Sequence, residues 1–372
     1  MLKAQQTRDA TGATRWQLDT QRLGCPETRN ALEYDALVVA SGHFSVPFVP
    51  DIPGLIEWSQ QRPESVTHSK FFRKPEEYAG KRTLTLGKGY SGLDIAGQIM
   101  PYCKQPLIMS TRQPGDLPLD GSYTMYPEIK HLDVTTRTAH FADGSSVSNI
   151  DAILFCTGYL YSYPFLPRGS LLEEAKEPIW TLDGMRPHNL YKCMFYNADP
   201  TLAFVSMPQQ IVPFPITDTQ AAVVARAWAG RLELPTRQEM VRWEEDTVAD
   251  MGNGKGWLWL KPPKDGRYLN ELAAWADGAS PGYSVEGALT SSRVGSGGTQ
   301  DISNIANGDI GHAVLGKEPA RWGEKELWIR ERVLGIKQAF VARGEKRHEV
   351  RSLEELGFDF KAWKREQHLE GS

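Results

Sequence analysis

The sequence lacks several features that would assign it to a specialised class of protein. No apolar run approaches the ~20 residues of a membrane span. The 372 residues carry a formal net charge of −4, which argues against a nucleic acid or an anionic membrane as partner. The four cysteines form no C-x-x-C pair. This spacing predicts free thiols and a cytoplasmic location, without a disulfide framework or a structural zinc site.

Familiar catalytic motifs are also missing. The sequence contains no G-x-S-x-G nucleophile elbow, and its eight histidines show no H-E-x-x-H spacing, so neither a serine hydrolase nor a metal site is predicted. A pyridine-nucleotide disulfide reductase would need a redox-active cysteine pair, which is absent. We therefore expect any chemistry to come mainly from a cofactor, and the sequence does not identify the catalytic residues.

One glycine-rich stretch predicts a nucleotide site. A β-prone run over residues 82–86 leads directly into G-K-G-Y-S-G at residues 87–92, and a helix-prone run follows. In this context Gly87 permits a tight turn, Gly89 lets the backbone approach a pyrophosphate, and Gly92 lets the helix pack closely on its strand. The exposed N–H groups at the start of that helix then form an anion site.

The next predicted strand, residues 106–112, ends in Ser110-Thr111-Arg112. In NAD sites an acidic residue at this place binds the ribose 2′-hydroxyl, whereas two hydroxyls and a guanidinium would bind a 2′-phosphate. The pattern favours NADPH over NADH. The alternative is that Arg112 is a solvated loop residue.

Two further apolar strands bracket the glycine-rich unit. Residues 35–43 and 150–156 each close with a small residue and a glycine, Ser41-Gly42 and Thr157-Gly158. Continuous apolar character over so few residues is typical of strands in a parallel sheet. The arrangement predicts one nucleotide-binding domain inserted within another.

Composition and periodicity predict the remaining elements. These are a hairpin of strands 1–6 and 14–21, a hairpin around 143–145, a buried strand within 202–208, a stiff apolar segment at 211–215 near a helix N-terminus, a helix over 219–232, a mobile Ser/Gly-rich loop at 279–311, and a charged helical region over 324–345 and 352–366.

Together the motifs resemble those of flavin-containing monooxygenases. The likeness comprises the glycine loop within 82–97, the S-T-R end at 110–112, F-C-T-G-Y at 155–159 with Y-P-F-L at 163–166, and A-S-G-H with spaced prolines within 37–53. His68 and Phe72 fall on the family's F-x-G-x-x-x-H-x-x-x-F/Y fingerprint. Arg62 and Glu64 replace its first phenylalanine and its glycine, and Cys156 replaces a usual alanine.

The resemblance implies an α/β fold: a nested two-dinucleotide-binding-domain (Rossmann-like) flavoprotein, with the NADPH domain inserted in an incomplete FAD domain. It divides the chain into 1–55, a remnant of the FAD-binding domain, 56–155, the NADPH-binding domain, and 156–372, the remainder of the FAD-binding domain with a C-terminal helical cover. The family's first segment, which carries the FAD-binding glycine loop, has no counterpart in the sequence. We therefore expect an N-terminally truncated member.

The resemblance further implies a flavin-dependent monooxygenase of the N,N-dimethylaniline type. Such an enzyme uses FAD, NADPH and O2 to oxygenate the nitrogen or sulfur of a small molecule, and whether this shortened chain is active stays open. The implied NADPH contacts are Gly87, Gly89, Ser91, Gly92, Ser110, Thr111 and Arg112, and the implied FAD-side contacts are Ala40, Ser41, Gly42, Thr157, Gly158, Gln210 and Phe214. The alternative is a non-catalytic NADP-binding module or pseudoenzyme.

Overall fold

The computed structural model describes residues 1–10, 12–112, 123–166, 184–278 and 318–370. The predicted loop at 279–311 lies outside these residues. The chain divides into two compact units. One is continuous in sequence (residues 43–162), and the other is discontinuous (residues 1–42 and 163–372).

The continuous unit extends beyond the predicted NADPH domain of residues 56–155 at both ends. Its two flanking segments are hydrogen-bonded to each other, because β5 (Val46–Pro47) pairs antiparallel with β14 (Tyr159–Leu160). The Phe48 N–H also donates to the Gly158 carbonyl at 2.8 Å. These bonds place both segments in the same compact unit.

A five-stranded parallel sheet forms the centre of the continuous unit. In the order β6-β13-β7-β8-β9 its strands are Val66–His68, Ala152–Phe155, Thr83–Leu86, Leu107–Ser110 and Tyr123–Tyr126. The three inner strands are buried along their whole length, as expected for a sheet covered on both faces. The predicted strands at 82–86, 106–112 and 150–156 are confirmed, each somewhat shorter.

Helices and a small sheet complete this unit. Helix α1 is Leu55–Gln61, and α2 (Tyr90–Ile99) connects β7 to β8. A three-stranded antiparallel sheet contains β10 (Ile129–Asp133), β11 (Thr138–Phe141) and β12 (Ser146–Val147). The hairpin predicted around residues 143–145 is confirmed. Its turn depends on Gly144 at φ +84°, where a residue with a Cβ would be strained.

The discontinuous unit begins with a three-stranded antiparallel sheet of β1 (Lys3–Arg8), β2 (Thr14–Arg22) and β3 (Cys25–Tyr34). The hairpin of the first two strands was predicted and is confirmed. Strand β3 was missed because its sequence, C-P-E-T-R-N-A-L-E-Y, is half polar without a regular alternation, and most of the strand is exposed. Burial of Trp16, whose indole N–H donates to the Thr201 hydroxyl at 3.0 Å, helps to hold this sheet in place.

A four-stranded sheet lies at the centre of this unit, in the order β15-β16-β17-β4. Its strands are Leu190–Tyr191, Phe195–Tyr196, Leu202–Phe204 and Leu37–Val39. Strands β17 and β4 are parallel although they are distant in sequence. The strand predicted within 202–208 is confirmed.

Three helices follow this sheet: α3 (Pro213–Trp228), α4 (Arg237–Met251) and α5 (Lys264–Asp277). Helix α3 starts at Pro213 rather than at residue 219 and ends at Trp228 rather than at residue 232. The two prolines at its start were interpreted as a stiff non-helical segment, but proline is tolerated in the first helical turn, where no N–H partner is needed. Helices α3 and α5 pack around Val223, Leu269 and Leu272.

The C-terminal region is helical, as predicted, but it is broken into shorter pieces: α6 (Glu324–Glu331), α7 (Val333–Ala342) and α8 (Phe360–Glu370). The predicted helix over 324–345 is interrupted at Arg332, whose guanidinium lies 4.7 Å from the Trp328 ring and 5.3 Å from the Trp363 ring. Short 3-10 turns occur at Pro63–Ser65, Ser69–Phe71, Pro75–Tyr78, Lys255–Leu258, Gly344–Glu349 and Glu354–Leu356.

All four cysteines are free thiols, as predicted. Within the described residues, no helix has both the length and the apolar character needed to cross a membrane.

Candidate functional site

The glycine-rich loop joins the buried strand β7 to helix α2. Gly87 has φ +100°, and a Cβ added there would lie 2.6 Å from the carbonyl oxygen of Cys156. At Gly92 an added Cβ would lie 2.1 Å from the carbonyl oxygen of Gly87. Both distances are too short for a side chain, so β7, β13 and α2 approach each other as closely as they do only because both residues are glycine.

Gly89 differs from the other two glycines. It is exposed, its φ of −69° suits any residue, and an added Cβ would meet nothing within 4 Å. Gly89 caps the start of α2 without a side-chain hydrogen bond, and the first turn of that helix contains no acidic residue. The loop therefore presents open space and N–H donors to an anion, as a pyrophosphate requires.

Two further residues belong to this loop. Ser91 is exposed in the first turn of α2, close to where an anion would bind. Lys88, between Gly87 and Gly89 in the sequence, is half-buried and adds a positive charge to the loop. Lys88 was not predicted as a site residue, although its position inside the motif was visible in the sequence.

The end of β8 lies beside the loop, because the Gly87 N–H donates to the Ser110 carbonyl at 2.9 Å. Ser110 itself is buried, and its hydroxyl donates to the Pro127 carbonyl at 2.7 Å. This hydrogen bond fixes the end of β8 beside the loop. The contact of Ser110 with a phosphate stays a prediction.

Thr111 and Arg112 follow at the same end of β8. The Thr111 N–H donates to the Tyr126 carbonyl at 3.0 Å, which ties the strand end to β9. Thr111 is nearly buried, whereas Arg112 is exposed. The guanidinium is thus the accessible charged group where a ribose phosphate would lie in this kind of fold.

The segment after β13 is held by several hydrogen bonds. The Thr157 hydroxyl donates to the Phe48 carbonyl. Gly158, at φ +80°, accepts at its carbonyl from both the Phe48 N–H and His68. The Lys70 N–H donates to Nδ1 of His68 at 3.1 Å, so Nε2 carries the proton and donates to the Gly158 carbonyl at 3.0 Å. These contacts give Thr157 and Gly158 a structural role within the continuous unit.

Buried thiol and phenol groups near the loop are not chemically activated. Burial raises the pKa of the Cys156 thiol to about 12. Burial, together with the nearby Cys156 and Glu77, also raises the pKa of the Tyr78 hydroxyl to about 12. Neither group is ionised near neutral pH, so neither is poised as a nucleophile or base.

The other predicted contacts lie in the discontinuous unit. Ala40, Ser41 and Gly42 are exposed directly after β4, with Gly42 at φ +72°. Because β17 runs parallel to β4, the segment that follows β17 leaves the sheet at the same edge, where ligands bind in open α/β sheets. That segment leads to Gln210, whose carbonyl accepts from Arg330 at 3.3 Å, and to Phe214, which is 85% exposed in the first turn of α3.

These residues offer only part of a binding site for FAD. Ala40 to Gly42 and Gln210 form an accessible edge of the sheet that could contact FAD. However, the sequence contains G-x-G-x-x-G only once, and the described part of the discontinuous unit has no second strand–glycine loop–helix. These residues therefore fit a contact surface for FAD but do not provide a pyrophosphate site of their own.

Comparison with known proteins agrees with this geometry. The family model described as flavin-binding monooxygenase-like matches residues 1–118 and 114–252. The chain belongs to this family.

Within the described residues, no group of three or more histidine, cysteine or acidic side chains could hold a metal ion.

Two curated relatives of this chain are named for different substrates. This chain is 37% identical over 207 residues to a trimethylamine monooxygenase of Methylocella silvestris, a match that covers 55% of this chain and 43% of the relative. It is 35% identical over 209 residues to a thiol-specific monooxygenase of Saccharomyces cerevisiae, covering 55% of this chain and 48% of the relative. The chain spans about half the length of the curated relatives it matches.

A solved structure supports the fold over nearly the whole chain. The S-allyl-L-cysteine S-oxygenase of Allium sativum superposes with a TM-score of 0.65 at 22% identity, covering 98% of this chain and 70% of that one. The predicted α/β, Rossmann-like flavoprotein fold is therefore confirmed.

Proposed function

We propose that this chain binds NADPH in its continuous unit and serves a flavin-dependent monooxygenase reaction on the nitrogen or sulfur of a small molecule. Family membership supports the reaction class. Two relatives, named for trimethylamine and for thiols, support the substrate class.

One observation carries the NADPH part of the proposal: the contrast among the three loop glycines. Side chains are excluded at Gly87 and Gly92 by backbone atoms of the protein itself, whereas Gly89 faces empty space. Packing within the protein therefore does not explain the glycine at position 89. The open position at the start of α2 is where a dinucleotide pyrophosphate would accept hydrogen bonds from backbone N–H groups.

The chain's own residues would each perform a limited task. The N–H groups of the α2 first turn, Ser91 and Lys88 would hold the pyrophosphate, and Arg112 with Thr111 would hold the 2′-phosphate. Ala40 to Gly42, Gln210 and Phe214 would contact FAD. When bound, NADPH and FAD supply the hydride and the oxygen activation that no side chain can provide.

The first experiment measures NADPH binding to the unaltered chain and to Gly89→Val. We expect about 100-fold weaker binding for the variant, because the valine would occupy the pyrophosphate space. The melting temperature should fall by only a few degrees, because valine is a poorer helix N-cap than glycine but contacts nothing else in the protein. Gly97→Ala in the same helix is the control, since its added methyl also meets open space. Equal NADPH affinity in Gly89→Val and Gly97→Ala would contradict the proposed site.

A second experiment tests the 2′-phosphate assignment. Loss of a charge-assisted hydrogen bond in Arg112→Ala should weaken NADPH binding about 10-fold and leave NADH binding unchanged. Equal losses for both nucleotides would remove Arg112 from the site.

The reaction itself is tested by adding FAD and NADPH with trimethylamine or a thiol and detecting an oxygenated product by mass spectrometry. A product supports the monooxygenase proposal. NADPH binding without turnover, even with excess FAD, would instead support the alternative of a non-catalytic NADP-binding module.

A further inference from the structure

The exposed face of the β10–β11–β12 sheet carries two histidines directly opposite each other. His131 on β10 pairs in register with His140 on β11. Their ring centres are 5.5 Å apart, the ring planes are inclined by 32°, and both residues are exposed. The pairing arises from the hairpin and not from any spacing along the sequence.

This separation suits two imidazoles that share one metal ion. A metal bound to an imidazole nitrogen lies about 2 Å from that nitrogen and therefore about 3.2 Å from the ring centre. If the N–metal–N angle lies between about 90° and about 120°, the centres of two rings bound to one ion are about 4.5–5.5 Å apart. The observed 5.5 Å lies at the upper end of this range, and exposed rings can adjust by small rotations.

The strands that carry the pair are held firmly from the other face. Leu132, Ala139 and Phe141 alternate with the histidines and are buried in the core of the continuous unit. An ion would thus bind to two side chains whose backbones are already fixed, which reduces the entropy lost on binding.

The surroundings of the pair are polar. Asp133 lies on the same face as His131, and the Thr135 N–H and the Thr136 hydroxyl donate to its carboxylate at 2.9 and 2.7 Å. Ser146 on β12 is exposed beside His140, and Lys130 precedes His131. The carboxylate adds a nearby negative charge that favours a cation, and the open face leaves room for water ligands.

We propose that His131 and His140 form a bidentate site for a divalent transition metal ion, with water completing its coordination. Imidazole ligands suit Cu²⁺, Ni²⁺ and Zn²⁺, and affinity should follow the usual order with Cu²⁺ strongest. This site is separate from the proposed nucleotide site and does not depend on the proposed function.

The test is Ni²⁺ titration of the tag-free full chain by isothermal calorimetry. We expect one site, and roughly 100-fold weaker binding in His131→Ala or His140→Ala, because each variant loses the chelate. His348→Ala, which removes an exposed histidine from a different unit, should bind Ni²⁺ as the unaltered chain does.

A second measurement separates ligand loss from misfolding. Ni²⁺ should raise the melting temperature of the unaltered chain but not of His140→Thr, in which a strand-forming residue replaces the ligand. Absence of Ni²⁺ binding by the unaltered chain would overturn the proposal. Undiminished binding in both His131→Ala and His140→Ala would also overturn it.

Discussion

The two units of this protein build their candidate sites in opposite ways. In the continuous unit, one strand, one loop and one helix within residues 83–99 form the candidate anion site. In the discontinuous unit, the candidate FAD contacts come from Ala40–Gly42 and from Gln210 and Phe214, which are far apart in sequence. The first kind of site depends on glycines at a fixed local spacing, whereas the second depends on the parallel pairing of β4 with β17.

Both units also contain a carboxylate that joins segments remote in sequence, but the two carboxylates differ in burial. In the discontinuous unit, the buried Glu244 accepts hydrogen bonds from Arg186 at 2.8 Å and from the Asn189 N–H at 3.0 Å. In the continuous unit, the partly exposed Asp151, directly before β13, accepts from the Arg82 N–H at 2.9 Å, directly before β7. Each unit can therefore be disrupted at its own characteristic point.

The largest effect is expected at Gly92. In Gly92→Ala the new methyl would overlap the Gly87 carbonyl, so the loop and α2 must move apart, at a cost of about 4 kcal/mol in the free energy of unfolding. Urea denaturation measures this loss, and hydrogen exchange should locate it in residues 43–162. Gly97→Ala is the matched control and should be neutral or stabilising by about 0.5 kcal/mol. If the two variants were equally stable, close packing at Gly92 would not be what the loop requires.

The buried pair in the discontinuous unit should have the next largest effect. Burial raises the pKa of the Glu244 carboxyl, while the hydrogen bond from Arg186 opposes that rise. Glu244→Gln would leave the buried Arg186 guanidinium without its carboxylate, and we expect a loss of about 3 kcal/mol in urea denaturation.

The exposed neighbour provides the control for that variant, because Glu245→Gln should change stability by less than about 0.5 kcal/mol. Hydrogen exchange should place the loss caused by Glu244→Gln outside residues 43–162. Faster exchange confined to the continuous unit would contradict the assignment of this pair.

Asp151 should show a pH-dependent effect of intermediate size. Partial burial opposes ionisation, but the Arg82 N–H, Lys104 and Arg137 outweigh it, so the pKa of Asp151 is lowered. A lowered pKa means that the carboxylate stabilises the fold above the unfolded-state pKa of about 4 and that this stabilisation is lost as the pH falls through the folded-state value.

Asp151→Asn should therefore cost about 2 kcal/mol at pH 7, and the difference from the unaltered chain should shrink below about pH 4. Urea denaturation at pH 7, 5, 4 and 3 measures this, with Asp94→Asn on the exposed side of α2 as the control. A difference that stayed constant with pH would show that the charge is not responsible.

The smallest effect is expected at the start of α4. The Thr236 hydroxyl accepts from the Glu239 N–H, and the Glu239 carboxylate accepts from the Thr236 N–H at 2.8 Å. Thr236→Ala should cost about 1 kcal/mol, and Thr236→Ser should restore most of it because serine keeps the hydroxyl. Equal stability of the alanine and serine variants would show that the cap contributes little.

Prediction from the sequence succeeded best where the information is local. The strands around the glycine loop and the hairpin at 143–145 were found because hydrophobic runs and turn residues act over a few positions. It failed where tertiary contacts outweigh local preference, as in strand β3, which is half polar yet pairs with β2. It also failed at Pro213 and Pro215, which begin a helix because proline is tolerated in the first helical turn.

The sequence by itself determined the family, the glycine loop and the strands on either side of it, because these depend on residue types at short, fixed spacings. Only the tertiary structure decided that Ser110 is buried and that its hydroxyl donates to the Pro127 carbonyl. It also placed His131 opposite His140, since cross-strand register depends on which strands pair. The physical reason is common to both cases: hydrogen-bond partners and facing side chains are set by chain segments brought together only on folding.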